Sequence, residues 1–188
     1  MSSFTQIWVT INFVNIIMKK GFLIKILIAF CMFFSFMNAD AQVKSGSFNF
    51  TLKLLLSSST PTINTSDAAA GFSRYTFLDA RELNEYEVSH LQNALFVGSK
   101  KFSLDKVKNI QKNQPVIVYC SIGKRSEDVT LKLKKAGYTN VKNLYGGIFE
   151  WVNQGHAVYN NKNIVTDRVH AYGHFWGKFL DKGVKVYD

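Results

Sequence analysis

The chain has 188 residues, 47% of them hydrophobic, with 2 prolines and 12 glycines, which fits one globular domain plus extensions and excludes collagen-like, proline-rich and disordered classes. Two cysteines cannot supply a disulfide framework, so a hydrophobic core must carry the fold. Lysine and arginine number 23 against 13 acids, and the resulting charge of +10 suits anionic partners without choosing among nucleic acid, membrane and small anions.

The first 41 residues have the pattern of an export signal. Lys19 and Lys20 precede an apolar run over residues 21–37 that only Lys25 interrupts, and Ala39-Asp40-Ala41 gives a small-x-small cleavage site. Residues 1–41 are therefore expected to be a signal peptide, with Met18 as an alternative start, Gln42 as the first mature residue, and the product periplasmic or extracellular. The run is short for a spanning helix, so membrane association is expected only if the segment is retained. Cleavage removes three lysines, one aspartate and Cys31; it leaves a charge of +8 and Cys120 as the single cysteine.

Residues 42–60 are polar and Ser-rich apart from an apolar patch over 48–56, and read as a linker with one short helix. Residues 61–158 alternate between strand and helix signals. Tyr75-Thr76-Phe77-Leu78 predicts a strand, 81–88 a helix, Ala94-Leu95-Phe96-Val97 a strand, and Leu104, Val107 and Ile110 a helix on 3–4 spacing. Pro115 opens Val116-Ile117-Val118-Tyr119, an unbroken apolar strand of the kind buried on both faces of a parallel sheet. Ser126 is the expected N-cap of a helix whose Val129, Leu133 and Ala136 share one face, with three lysines near its end and Gly137 beyond it. Residues 141–145 give a further strand, followed by Gly146-Gly147. Strands separated by helices imply βαβ units and a mainly parallel α/β sheet flanked by helices. Residues 159–188 form a C-terminal extension whose Tyr172, Phe175, Trp176, Phe179 and Leu180 suggest an aromatic segment docking on the domain or on a partner. His170 and His174, at i and i+4 with Asp167 nearby, are a weaker metal pattern, and no metal is expected.

The informative segment is Cys120-Ser121-Ile122-Gly123-Lys124-Arg125-Ser126. It joins a strand end to a helix start, the place where open α/β sheets bind ligands. Backbone N–H groups of such a loop converge on an anion, and Gly123 permits the tight curvature. The helix dipole with Lys124 and Arg125 would favour a thiolate at Cys120, a nucleophile needing no separate base. The competing reading is a small buried residue closing a strand, with both cations merely solvated.

At this point the sequence resembles the rhodanese family. The loop matches its C-x-x-G-x-R-S pattern. Phe77-Leu78-Asp79-Ala80-Arg81 with Glu85-Tyr86 looks like the family's D-x-R and E-[FY] stretch, and Ser89-His90-Leu91-Gln92-Asn93-Ala94 resembles G-H-I-x-G-A with both glycines replaced. Gly137-Tyr138, Val141-Lys142-Asn143-Leu144, Gly146-Gly147 and Trp151 complete the resemblance, which spans residues 61–158 in order. It implies a three-layer rhodanese-like sandwich and a sulfurtransferase of the thiosulfate sulfurtransferase type. In that reading Cys120 is the nucleophile and holds sulfur as a persulfide. Ser121, Ile122, Gly123, Lys124, Arg125 and Ser126 bind the substrate, with Lys124 and Arg125 attracting a small anionic donor. A thiol or protein accepts the sulfur, and no cofactor is required. Asp79 and Arg81 are expected to support the site as an ion pair, and His90 and Trp151 to pack.

Three alternatives stand beside it. Phosphatases and arsenate reductases use a C-x5-R loop, one residue longer than the C-x4-R here. A non-catalytic rhodanese-like binding module would keep the fold without the chemistry. A thiol-redox role would need a partner thiol, because the mature chain has no second cysteine. Nucleic acid is not expected as a partner: the lysines are scattered and export argues against it.

Overall fold

The computed structural model describes Val43 and residues 45–188; the segment expected to be an export signal, with its expected cleavage site and Met18, lies outside the described residues. None of the described helices is long and apolar enough to cross a membrane. Five parallel strands form the central sheet: β1 (Thr62–Ile63), β2 (Thr76–Asp79), β3 (Leu95–Phe96), β4 (Val116–Tyr119) and β5 (Val141–Leu144), in spatial order β1-β5-β4-β2-β3. The apolar β4 lies at the centre, with all four residues buried.

Alternation along the strands sorts the core into two layers. Phe77, Ile117, Tyr119 and Leu144 belong to one apolar cluster; Leu78, Val116, Val118 and Val141 belong to the other. A helix on each side makes the molecule a three-layer α/β sandwich. On the second face lies α4 (Lys124–Lys135), which buries Val129 and Leu133 against Val107, Ile110 and Tyr138. Its lysine-rich last turn complements the helix dipole, and Gly137 (φ +90°) reverses the chain so that the Tyr138 N–H donates to the Leu133 carbonyl at 3.1 Å. On the first face lie α1 (Gly46–Leu55), α2 (Thr65–Ala70) and α5 (Gly147–Asn153). The remaining helices are α3 (Leu83–Val88) and α6 (His174–Gly177).

Three local expectations are corrected. The stretch read as a linker is part of the core: α1 is capped by Ser45, and Phe48 and Leu52, one turn apart, are fully buried beside Val43. Each such side chain contributes roughly 1.5–3 kcal/mol of burial, more than a loose linker would supply. The helix expected from Leu104 to Ile110 is a single 3-10 turn over Leu104–Val107. Its bonds run i to i+3, from Lys106 N–H to Ser103 and from Ile110 N–H to Val107, because polar residues on either side leave no room for a longer apolar face. Helix α4 begins two residues before the expected cap, after Gly123 at φ +107°. The Ser126 hydroxyl instead donates to Asn143 Oδ1 at 2.7 Å, and Asn143 Nδ2 donates to the Gly123 carbonyl at 2.8 Å.

The C-terminal residues pack on the first face. β6 (Val158–Tyr159) and β7 (Val165–Thr166) form an antiparallel pair, and Tyr159 bridges to His90. β8 (Arg168–His170) and β9 (Val184–Val186) form a parallel pair. Val169, Ala171 and Leu180 are fully buried in the same cluster as Phe48 and Leu52. Phe179 stacks on Phe48 with centroids 4.9 Å apart, so the two ends of the described chain meet.

Candidate active site

Cys120 is the first residue after β4 and is almost completely buried. Its sulfur sits in the turn leading into α4, where the Gly123 N–H points at Sγ at 3.2 Å. The carbonyls of Cys120 and Ser121 accept from the N–H groups of Ile148 and Phe149, at 2.9 and 3.1 Å. The first turn of α5 therefore clamps the back of the loop. Such an approach requires Gly147 (φ +58°), because a Cβ there would collide with the Cys120 and Ser121 carbonyl oxygens. The Gly146-Gly147 pair noted in the sequence thus has a mechanical role.

Arg125 does not stand free over the sulfur. Its Nη1 and Nη2 donate to Glu85 Oε2 and Oε1 at 2.5 and 2.7 Å, and Nη2 also reaches Ser121 Oγ at 2.9 Å. Ser121 Oγ in turn donates to Glu85 Oε1 at 3.1 Å. Burial works to raise the Glu85 carboxyl, but the hydrogen bonds and charge of Arg125 outweigh it and hold the group below its ordinary value. Burial likewise opposes the charge on Arg125; the hydrogen bond to Glu85 and the charge interactions with Cys120 and Glu85 overcome it and raise the guanidinium further. The face of the guanidinium lies 4.6 Å from the centroid of the Tyr172 ring. Lys124 reaches Glu127 Oε2 at 3.1 Å, and Glu127 Oε1 accepts from the Ser57 N–H and the Thr60 hydroxyl. Both cations expected to draw in an anionic donor are matched by carboxylates.

Cys120 lines a cavity of about 200 Å³. Cys120, Ser121 and Ile122 form its base, and Lys124 and Arg125 its rim. Its walls come from outside the loop: Leu55 of α1, and Tyr172 and Trp176 of the C-terminal segment. Ser126 is buried and turned to Asn143, so its side chain takes no part in the lining.

Asp79 and Arg81 form a separate, fully buried ion pair at 2.6 Å, in which Arg81 Nη2 also donates to the Ser89 carbonyl at 2.5 Å. The pair ties the end of β2 to the chain after α3 and stays outside the cavity. His90 stacks on Tyr86 (centroids 4.0 Å apart), its Nδ1 lying 3.0 Å from the Tyr86 carbonyl. His170 bonds Asp188 at 3.1 Å and His174 stacks on Tyr187, so the two histidines serve different contacts. No cluster of three metal-ligating side chains occurs among the described residues.

The comparisons with known proteins fit this geometry. A family model described as Rhodanese-like domain matches residues 64–154, which contain the sheet from β2 to β5, the cysteine loop and Glu85. The protein YqhL of Bacillus subtilis (strain 168) is 31% identical over 94 residues, covering 48% of this chain and 71% of that protein. The chain belongs to the rhodanese-like family. A tRNA uridine(34) hydroxylase of Pectobacterium atrosepticum is 34% identical over 102 residues, but the chain spans only 28% of that relative's length. The crystal structure of a thiosulfate sulfurtransferase from Pseudomonas aeruginosa superposes with a TM-score of 0.50 at 24% identity, over 64% of this chain and 23% of that one, and shows the shared rhodanese fold.

Glu85 was not singled out by chemistry in the sequence. It lies 40 residues from Arg125, and the available signal was its place in the E-[FY] element. Leu55, Tyr172 and Trp176 lie outside the matched region, so no motif could assign them to the cavity.

Proposed function

We propose that this chain is a sulfurtransferase in which Cys120 carries the transferred sulfur as a persulfide. The observation that carries the reading is that Cys120 lines a cavity and its sulfur faces the Gly123 N–H at the start of α4. A negative sulfur is stabilised there by an N–H donor and a helix N-terminus.

In the first half-reaction the Cys120 thiolate attacks the outer, sulfane sulfur of a donor. The S–S bond of the donor breaks and its electron pair leaves on the departing group, sulfite from thiosulfate or a thiolate from an organic persulfide. Cys120 then holds S–S⁻, its terminal charge facing the loop N–H groups. In the second half-reaction an acceptor thiolate, or cyanide in an assay, attacks that terminal sulfur and the Cys120 thiolate leaves. Charge and sulfur balance in both steps, and no metal or redox cofactor is needed. Glu85, Arg125 and Ser121 act by holding the loop, and Ser121 and Ile122 form the floor beside the sulfur.

One covalent intermediate shared by two half-reactions predicts ping-pong kinetics. Initial rates of thiocyanate release at several donor and cyanide concentrations should give parallel double-reciprocal lines, and Cys120→Ser should remove the activity with the fold intact. Turnover surviving in Cys120→Ser would overturn the proposal. Export belongs to the same proposal: amino-terminal sequencing of protein from its host should begin at Gln42, and recovery of Met1 or Met18 would contradict it.

A further inference from the structure

The charge balance at the cavity does not match the small anionic donor expected from the sequence. Arg125 spends its two Nη groups on Glu85 and Ser121, and one face of its guanidinium on Tyr172. Lys124 is half exposed and pairs with the buried Glu127. A sulfonate entering behind the sulfane sulfur would meet Leu55, Ile122, Tyr172 and Trp176 and would find no uncommitted cation among these rim groups. A charge placed against apolar walls without a partner is disfavoured. The N–H at the base serves the reacting sulfur alone.

From these contacts we infer that the donor is an organic persulfide with an apolar aliphatic or aromatic body, selected over thiosulfate by Leu55, Tyr172 and Trp176. The inference rests on the sulfurtransferase reading of Cys120. Such a donor carries its negative charge on the terminal sulfur, which is the atom transferred, and presents hydrocarbon to the walls. An enclosed apolar cavity of about 150 Å³ accommodates benzene, so a space of about 200 Å³ suits one ring and its sulfur atoms. Two flat aromatic walls and an aliphatic one favour a ring or a short branched chain over a peptide with its own charges. The walls come from α1 and the C-terminal segment, so this selectivity is a property of the flanks rather than of the rhodanese-like region.

The test uses the full chain with three donors: benzyl persulfide, glutathione persulfide and thiosulfate, with cyanide as acceptor. The intrinsic reactivity of each donor cancels when ratios of kcat/KM are compared between wild type and variants. Wild type should favour benzyl persulfide over glutathione persulfide, which presents the same reacting group, by at least about 10-fold. Trp176→Ala and Tyr172→Ala should each bring the ratio of benzyl persulfide to each of the other donors down by about 5–10-fold, and Trp176→Phe should keep most of it. Near-UV circular dichroism shows whether the variants keep their packing; if Trp176→Ala unfolds, Trp176→Phe against Trp176→Gln supplies the same contrast of apolar with polar wall. Glutathione persulfide matching benzyl persulfide in wild type would overturn the inference, as would ratios of benzyl persulfide to thiosulfate unmoved by the wall variants, while each would leave the Cys120 persulfide standing. Failure of all three donors to load Cys120 would remove the sulfurtransferase reading and the inference with it.

Discussion

The segment that matches the family, residues 64–154, and the segments that flank it contribute different things to the same cavity. The matched segment supplies Cys120, the turn that faces its sulfur with an N–H, and the Glu85–Arg125–Ser121 network that holds the turn. The flanks supply the walls: Leu55 from α1, Tyr172 and Trp176 from the C-terminal side. The flanks are also bonded to each other, through the Phe48–Phe179 stack and the shared cluster around Leu52, Val169 and Leu180. The cysteine loop and the other residues lining its cavity can therefore vary separately in this molecule, because different stretches of chain encode them.

The largest expected effect tests whether the flanks are structural or merely appended. Phe48→Ala empties a fully buried position and removes the ring stacked on Phe179. It should lower unfolding stability by about 3–5 kcal/mol in chemical denaturation. A loss under about 1 kcal/mol would return α1 to the status of a linker.

Next comes the clamp behind the loop. Gly147→Ala puts a methyl group against the Cys120 and Ser121 carbonyls at a left-handed φ, and α5 must shift. The nucleophile moves with it, so kcat/KM should fall by about 100-fold, equivalent to about 2.7 kcal/mol. Wild-type activity in this variant would mean that α5 does not position the loop.

Glu85→Gln breaks the ion pair that neutralises Arg125. With Arg125 about one-fifth exposed at its side chain, water offsets part of the loss, and a cost of about 1–3 kcal/mol is expected. The pH dependence sharpens the point. The folded carboxyl of Glu85 is held below its usual value, so its contribution is complete above the unfolded carboxyl's pKa and disappears as pH falls through the lower, folded one. Wild type should lose this stability on acidification and Glu85→Gln should lack that part of the slope; identical acid profiles would contradict the assignment.

The smallest effect concerns Lys124, whose ion pair with Glu127 is half exposed. Lys124→Ala should change stability by less than about 1 kcal/mol, because Glu127 keeps the Ser57 and Thr60 donors. A larger loss would make the rim charge a structural element rather than a solvated one.

The same division explains what could be read from the chain. The strand at Val116–Tyr119 announces itself because all four residues are apolar, and the cysteine loop does so because strand end, glycine, cations and helix start occupy consecutive positions. The fold and the place of Cys120, between a strand end and a helix start, were therefore legible. The partners of Arg125 and Lys124 were not: Glu85 is a distant carboxylate and Glu127 a neighbour with no motif of its own, so both cations looked available. The aromatic cluster over 172–179 was visible as composition, but its destination depends on β8 and β9 pairing and on Phe179 meeting Phe48, the latter a contact across more than a hundred residues. Ser126 had the right residue type for a cap, and the left-handed Gly123 with the buried Asn143 decided otherwise.

The central claim is that Cys120 takes and holds one sulfur atom. Intact-mass and peptide mass spectrometry of the full chain after incubation with excess donor tests it most directly. The account predicts a gain of about 32 Da, confined to the peptide carrying Cys120, removed by cyanide and absent in Cys120→Ser. An unmodified Cys120 after exposure to benzyl persulfide, glutathione persulfide and thiosulfate would contradict it.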